Sequence, residues 1–272
     1  MNPTLKRTVT ALATAALVVL AFVFIPQRLV RYAVVAVSAL VQLEFYLMVR
    51  AKYHSAPAIG IFMGTLFLLG TPPVPMFFAA AAAIMLSKRY SRPLETLATT
   101  LFGVLYIPVL LSAFISIASL APAGRIGIYT LLYVVSATKL SDMGGFAFGK
   151  AFGKHKMCPA ISPKKSWEGF GGSVFGAFLA TCIFISIAKA NSWSDAIAFW
   201  KISSSYLWAI PLGLFFAAFG TMGDLVESRI KREVEVKDSA TFMPAGLGGF
   251  LDMFDSILFT PALFLSILPF FP

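Results

Sequence analysis

The sequence predicts an all-α, polytopic integral membrane protein with about nine transmembrane helices and a cytoplasm-facing polar site in its C-terminal half. Two observations carry this expectation. Only 12% of the 272 residues are charged and 58% are hydrophobic, with a mean hydropathy of +0.84; soluble domains carry roughly 25% charged residues. Several apolar runs also reach the roughly twenty residues that cross a bilayer, and none alternates in the manner of barrel strands of roughly ten residues.

The first span, 8–26, follows Lys6-Arg7 and runs through IPQRLVR into the second, with no small-residue cleavage site between them. It therefore reads as a retained helix rather than a removed signal. The second, 29–49, carries Glu44 within VQLEFYLM. Spans 57–71 and 74–87 are short and separated by GTPPVP, which suits a tight re-entrant pair as well as two crossings. Ala79–Ala83 in the fourth reads as a thin, closely packed face, since small residues let helices approach in lipid. The remaining spans are 97–120, 126–148, 170–188, 206–222 and 249–270. At the end of the sixth and just beyond it, GGFAFGKAFG places Gly145, Gly149 and Gly153 four apart, a packing pattern rather than a phosphate loop.

Alternating these spans from a cytoplasmic N-terminus puts sixteen Lys and Arg on the cytoplasmic side and five on the other, with Lys139 inside a span. That bias predicts a cytoplasmic (inner) membrane protein with its C-terminus outside. It also accounts for the net charge of +10 without nucleic acid as a partner. Cys158 and Cys182 read as free thiols.

No internal repeat is visible, and ten of the twelve acids fall between Asp142 and Asp255. Residues 1–125 thus read as membrane scaffold and 126–272 as the catalytic region, whose long polar connections, 149–169 and 223–248, face the cytoplasm. Asp224 ends the eighth span, and Asp252 and Asp255 open the ninth, three apart and so on one helix face. Ionised groups beside apolar helices are costly and usually functional, and carboxylates joined by phosphates suit Mg²⁺. Asp142, near the inner end of the sixth span, fits either a further ligand or a partner for Lys139.

Basic residues cluster beside these acids. SRIKRE supplies Arg229, Lys231 and Arg232, and VKDS supplies Lys237 beside Asp238. SPKKSWEG supplies Lys164 and Lys165 with Ser162, Ser166 and Glu168, and Pro163 keeps this piece out of a helix interior. Cations and a bound metal form the usual clamp on a transferring phosphoryl group. In PAGLGGF, Gly246, Gly248 and Gly249 precede the Asp252 helix, where backbone N–H groups could face an anion. His54 and His155 lie in basic loops without a second metal-spaced ligand.

Ser228-x-x-Lys231-Arg232, Lys237-Asp238, a Pro-Gly-Gly turn and Asp252-x-x-Asp255-Ser256 together resemble the C-terminal signature of the phosphatidate cytidylyltransferases (CDP-diacylglycerol synthases). SPKKSWEG, GDLVES and Asp142 match further family features, so the resemblance covers about 140–256 in order. Two departures stand out. The family's Pro-Gly-His-Gly-Gly turn is here Pro244-Ala245-Gly246-Leu247-Gly248-Gly249, and its Asp-Arg-x-Asp is Asp252-Met253-Phe254-Asp255.

The resemblance implies CTP and phosphatidate as substrates, CDP-diacylglycerol and pyrophosphate as products, membrane lipid as surroundings, and a homodimer. It implies Asp224, Asp252 and Asp255 as Mg²⁺ ligands with Asp142 as a further one, Lys237 as catalytic, and a second cation, K⁺, suggested by the family alone. Ser162, Lys164, Lys165, Ser166, Glu168, Ser228, Lys231, Arg232, Asp238, Gly248 and Gly249 would bind substrate. The rival class is a cation-coupled transporter, which also uses intramembrane acids but commonly shows two related halves.

Overall fold

A computed structural model of the chain describes residues 27–120, 126–190, 206–236, 239 and 249–268. The first predicted span lies outside them. The described residues are mostly helical and fall into two compact units. One is built from 116–229 with 255 onward, the other from 27–115 with 230–254.

The second unit begins with α1 (Gln27–Val49), whose buried face repeats at helical spacing through Val30, Val34, Ser38, Val41, Phe45 and Met48. α2 (Pro57–Leu68), α3 (Pro73–Met85) and α4 (Pro93–Val104) each start on a proline, whose missing N–H costs nothing at a helix start. Gly60, Gly64 and Gly103 let α2 and α4 close onto Tyr46 and Gln42. There the Tyr46 hydroxyl donates to the Thr100 carbonyl at 2.7 Å and Gln42 Nε2 to that of Gly60 at 3.2 Å. A π turn at Leu105–Val109, containing Pro108, joins α4 to α5 (Leu110–Ala118). Proline cannot supply its N–H, so the ladder widens for one turn.

GTPPVP makes a defined stop. Gly70 sits at φ 101°, with its N–H on Phe67 and that of Thr71 on Leu66, and the next helix starts at Pro73. This left-handed close requires glycine. At 12 and 13 residues, α2 and α3 are about 18 and 20 Å long, short of the roughly 30 Å hydrocarbon core, so length favours the re-entrant alternative over two crossings. The packed-face expectation for Ala79–Ala83 holds only at Ala80, which is buried in line with Met76 and Ile84; Ala79, Ala82 and Ala83 are exposed.

In the first unit, α6 (Ile126–Phe152) and α7 (Trp167–Ala190) pack along their glycines. A Cβ on Gly172 would stand 2.5 Å from the Gly144 carbonyl oxygen, and one on Gly169 would stand 3.0 Å from that of Gly145. Between these helices, β1 (Lys156–Cys158) and β2 (Ser162–Ser166) form an antiparallel hairpin. This is the departure from helix within the predicted loop 149–169. α8 (Ala209–Glu233) follows a short 3₁₀ turn, Tyr206–Trp208, and buries a stripe through Leu212, Gly213, Phe216, Gly220, Gly223 and Glu227. From Asp255 onward, α9 (Phe250–Ile267) completes the unit. Its Phe264 stacks on Phe216, and Tyr133 meets both rings while bonding Thr181 at 2.9 Å.

Among the described residues, five helices are long and apolar enough to cross a membrane: Leu29–Val49, Pro93–Ala118, Trp167–Ala190, Tyr206–Glu233 and Phe250–Ile267. α6 is longer than most of these but carries Lys139 and Asp142 in its middle.

Candidate active site

Within the first unit, charged side chains from α6, β2, α8 and α9 come together. Small residues bring the helices this close. A Cβ on Gly223 would stand 2.5 Å from the Asp255 carbonyl oxygen, and one on Gly220 would stand 3.8 Å from Asp142 Oδ1. Lys165 of β2 donates to Asp224 Oδ2 at 2.9 Å and to the Thr221 carbonyl at 3.1 Å. Asp142 accepts a 2.7 Å bond from the Ser256 hydroxyl and lies 3.5 Å from Lys139, whose ammonium also reaches Ser256 at 3.3 Å. Both readings of Asp142 therefore remain compatible with its place: it pairs with Lys139 while facing the other acids.

Asp255 accepts from the Ser256 N–H and lies within electrostatic range of Asp142, Asp224 and Glu227. Three aspartates thus share two lysines, which leaves carboxylates in excess of ammonium groups. Glu227, buried one turn beyond Asp224, was missed as a candidate although the i, i+3 spacing in GDLVES signals a shared face.

Asp252 belongs to the second unit by its contacts. It accepts from Lys231 Nζ at 3.1 Å, the Ser239 hydroxyl at 2.8 Å and the Gly249 N–H at 3.1 Å. The last bond closes the first turn of α9 as in a capping box. Of the expected aspartates, Asp224 and Asp255 lie near Asp142 within the first unit, and Asp252 is held by Lys231.

Two predicted substrate-binding residues hold the hairpin to α7. Ser166 Oγ caps the helix by accepting the Gly169 N–H at 3.1 Å. Glu168 accepts the Lys154 and His155 N–H groups at 3.1 and 3.2 Å and His155 Nδ1 at 2.6 Å. Lys164 and Arg232 are exposed; Ser162 and Ser228 are half-buried. Lys237, Asp238 and Gly248 lie outside the described residues, as does the turn from Pro244.

Hard carboxylate oxygens are the donors Mg²⁺ takes, so the chemistry of the set fits that ion. Among the described residues, however, no three His, Cys, Asp or Glu groups are placed to hold a metal together; Lys165 engages Asp224 and Ser256 engages Asp142.

Comparison with known proteins gives this cluster its context. A family model described as the cytidylyltransferase family matches residues 5–271. The phosphatidate cytidylyltransferase of Bacillus subtilis (strain 168) is 31% identical over 261 residues, covering 90% of each chain. That of Mycobacterium bovis is 35% identical over 166 residues, 61% of this chain and 48% of the relative. That of Staphylococcus aureus (strain COL) is 38% identical over 133 residues, 49% and 46% of the two chains. With the match running nearly end to end and taking in the helices that converge on Asp142, Asp224 and Asp255, the chain belongs to the cytidylyltransferase family.

Proposed function

We propose that this chain transfers the cytidylyl group of CTP to phosphatidate, giving CDP-diacylglycerol and pyrophosphate. The observation that carries the reading is the meeting of Asp142, Asp224 and Asp255 with Lys139 and Lys165 among otherwise apolar helices. A lipid phosphate is already anionic, so its oxygen attacks the α-phosphorus without a strong general base. The bond from that phosphorus to the bridging oxygen breaks, and pyrophosphate leaves with the electron pair. The barrier lies in bringing anions together and in the charge on the leaving group, so positioning and electrostatics supply the catalysis.

Lys165 and Lys231, each now on an aspartate, are the cations that turn to phosphate oxygens. Lys164, Arg232, Lys237, Ser162, Ser228, Asp238, Gly248 and Gly249 complete the proposed substrate contacts. Ser166 and Glu168 serve by fixing the strand that presents Lys165. Mg²⁺, when bound by Asp142, Asp224 and Asp255, would offset the triphosphate's charge. Asp252, one turn before Asp255 on α9, joins the set by helix position, and a second cation would serve the same end.

The reading extends to scaffold helices through 125 and catalytic helices from 126, in the cytoplasmic membrane with the N-terminus inside and C-terminus outside, and to a homodimer. Treating α2 and α3 as re-entrant leaves every basic loop on the same side, because 70–73 carry no Lys or Arg. A cation-coupled transporter gains no support from the family.

The test is CTP labelled at the α-phosphate, given with Mg²⁺ to purified protein. Label must enter the organic phase with phosphatidate and stay aqueous with diacylglycerol, which lacks the attacking phosphate. A folded protein that labels neither lipid is not this enzyme.

A further inference from the structure

Glu44 is a buried acid that the mechanism leaves unused. It is fully buried in α1, beside Phe45 and Val41. Burial of a carboxylate is tolerated only with hydrogen-bonding partners, and one of its partners is specific. Its Oε2 accepts the Leu251 N–H at 2.7 Å, across 207 positions of sequence. Leu251 is the second residue of α9, so its N–H is among the donors that no carbonyl of that helix can satisfy. The N–H of Gly249, the residue that precedes the helix, is taken by Asp252.

The contact is built to be tight. A Cβ on Gly249 would stand 2.6 Å from Glu44 Oε1 and would strike Ser239 Oγ, so glycine alone lets the carboxylate and the serine reach this turn together. Ser239 in turn bonds Asp252. The negative charge also complements the positive end of the α9 dipole.

We propose that Glu44 is a positioning residue: its carboxylate clamps the first turn of α9 and so keeps Asp252 aimed at Lys231 and Ser239. The inference rests on the role assigned to Asp252 above. It gives the scaffold half a direct part in the reaction, with the conformation of one helix start as the link.

The test compares Glu44→Gln, Glu44→Ala and Asp252→Asn in the full chain in detergent. Gln keeps an acceptor but loses the charge, so kcat should fall about 3- to 10-fold, and about 10- to 100-fold for Ala, which loses both. KM for CTP should move less than about twofold, as expected when the loss falls on the transition state rather than on ground-state binding. Amide exchange at Leu251 should quicken in the same order.

Wild-type kcat in folded Glu44→Ala overturns the proposal when Asp252→Asn is inactive. Faster exchange with unchanged kcat also overturns it, because that is the signature of a purely structural bond. If Glu44→Ala does not fold, unchanged kcat in Glu44→Gln decides against it. Full activity in Asp252→Asn instead removes the site assignment on which the proposal rests.

Discussion

Substituting Lys165→Met removes the ammonium that stands 2.9 Å from Asp224 while keeping most of the side chain's length. The two side chains are 22% and 27% exposed, so the pair is neither a surface bridge nor a buried one. At that separation the gross Coulomb attraction is about 1.4 kcal/mol in water and about 6 kcal/mol at an effective dielectric constant of 20. Desolvation and side-chain ordering offset most of it, leaving a net coupling of about 1–2 kcal/mol. The single variant loses this coupling and leaves Asp224 repelling Asp142 and Asp255, so its thermal midpoint in detergent should fall by about 3–6 °C.

Adding Asp224→Asn removes the repulsion, so the double variant should lose less stability than the two singles together. Activity should behave in the opposite way. Lys165→Met should lower kcat by about 10²–10³, the effect of losing one charge-stabilising donor, and the double variant should not recover it. Midpoints by tryptophan fluorescence and initial rates of CDP-lipid formation give both quantities. Additive midpoints together with wild-type kcat in Lys165→Met would refute the assignment of this lysine.

Four further outcomes are expected. Asp142→Asn and Asp255→Asn should each lower kcat by about 10²-fold or more at saturating Mg²⁺ with the protein folded, as radiolabel transfer will show. Chelation with EDTA should stop transfer by the wild type and Mg²⁺ should restore it, with circular dichroism unchanged throughout. Gly172→Ala, which drives a methyl against the Gly144 carbonyl oxygen and the Phe148 side chain, should destabilise the α6–α7 pair by about 1–3 kcal/mol, read as a lower midpoint. Glu235 holds a left-handed φ of 60° where α8 ends, with the Val236 N–H on the Lys231 carbonyl; Glu235→Gly should raise the midpoint by relieving about 1 kcal/mol of strain.

Much of this was legible from local spacing. Helix positions follow apolar runs, and the packing role of GGFAFGKAFG follows from glycines four apart, each of which meets backbone or Ser166 and Ser173. The Lys139–Asp142 pair is likewise an i, i+3 neighbour. What escaped has a physical reason in each case. The hairpin at Lys156–Ser166 is too short, and its strands too poor in β-branched and aromatic residues, to show a two-residue period. Lys165 on Asp224 and Glu44 on Leu251 join residues 59 and 207 positions apart, distances at which a single sequence carries no pairing signal. The Ser166 cap on α7 and the Glu168 bonds to Lys154 and His155 are likewise contacts that motif position does not reveal.

The central claim is that Asp142, Asp224 and Asp255 form one cation-binding, phosphate-handling centre. Mn²⁺ titration of the detergent-solubilised chain with CTP, followed by electron paramagnetic resonance, tests it without relying on turnover. Wild-type protein should bind the ion, and Asp142→Asn, Asp224→Asn and Asp255→Asn should each weaken binding at least about tenfold, the equivalent of one charged contact. Undiminished Mn²⁺ binding in all three variants would contradict it.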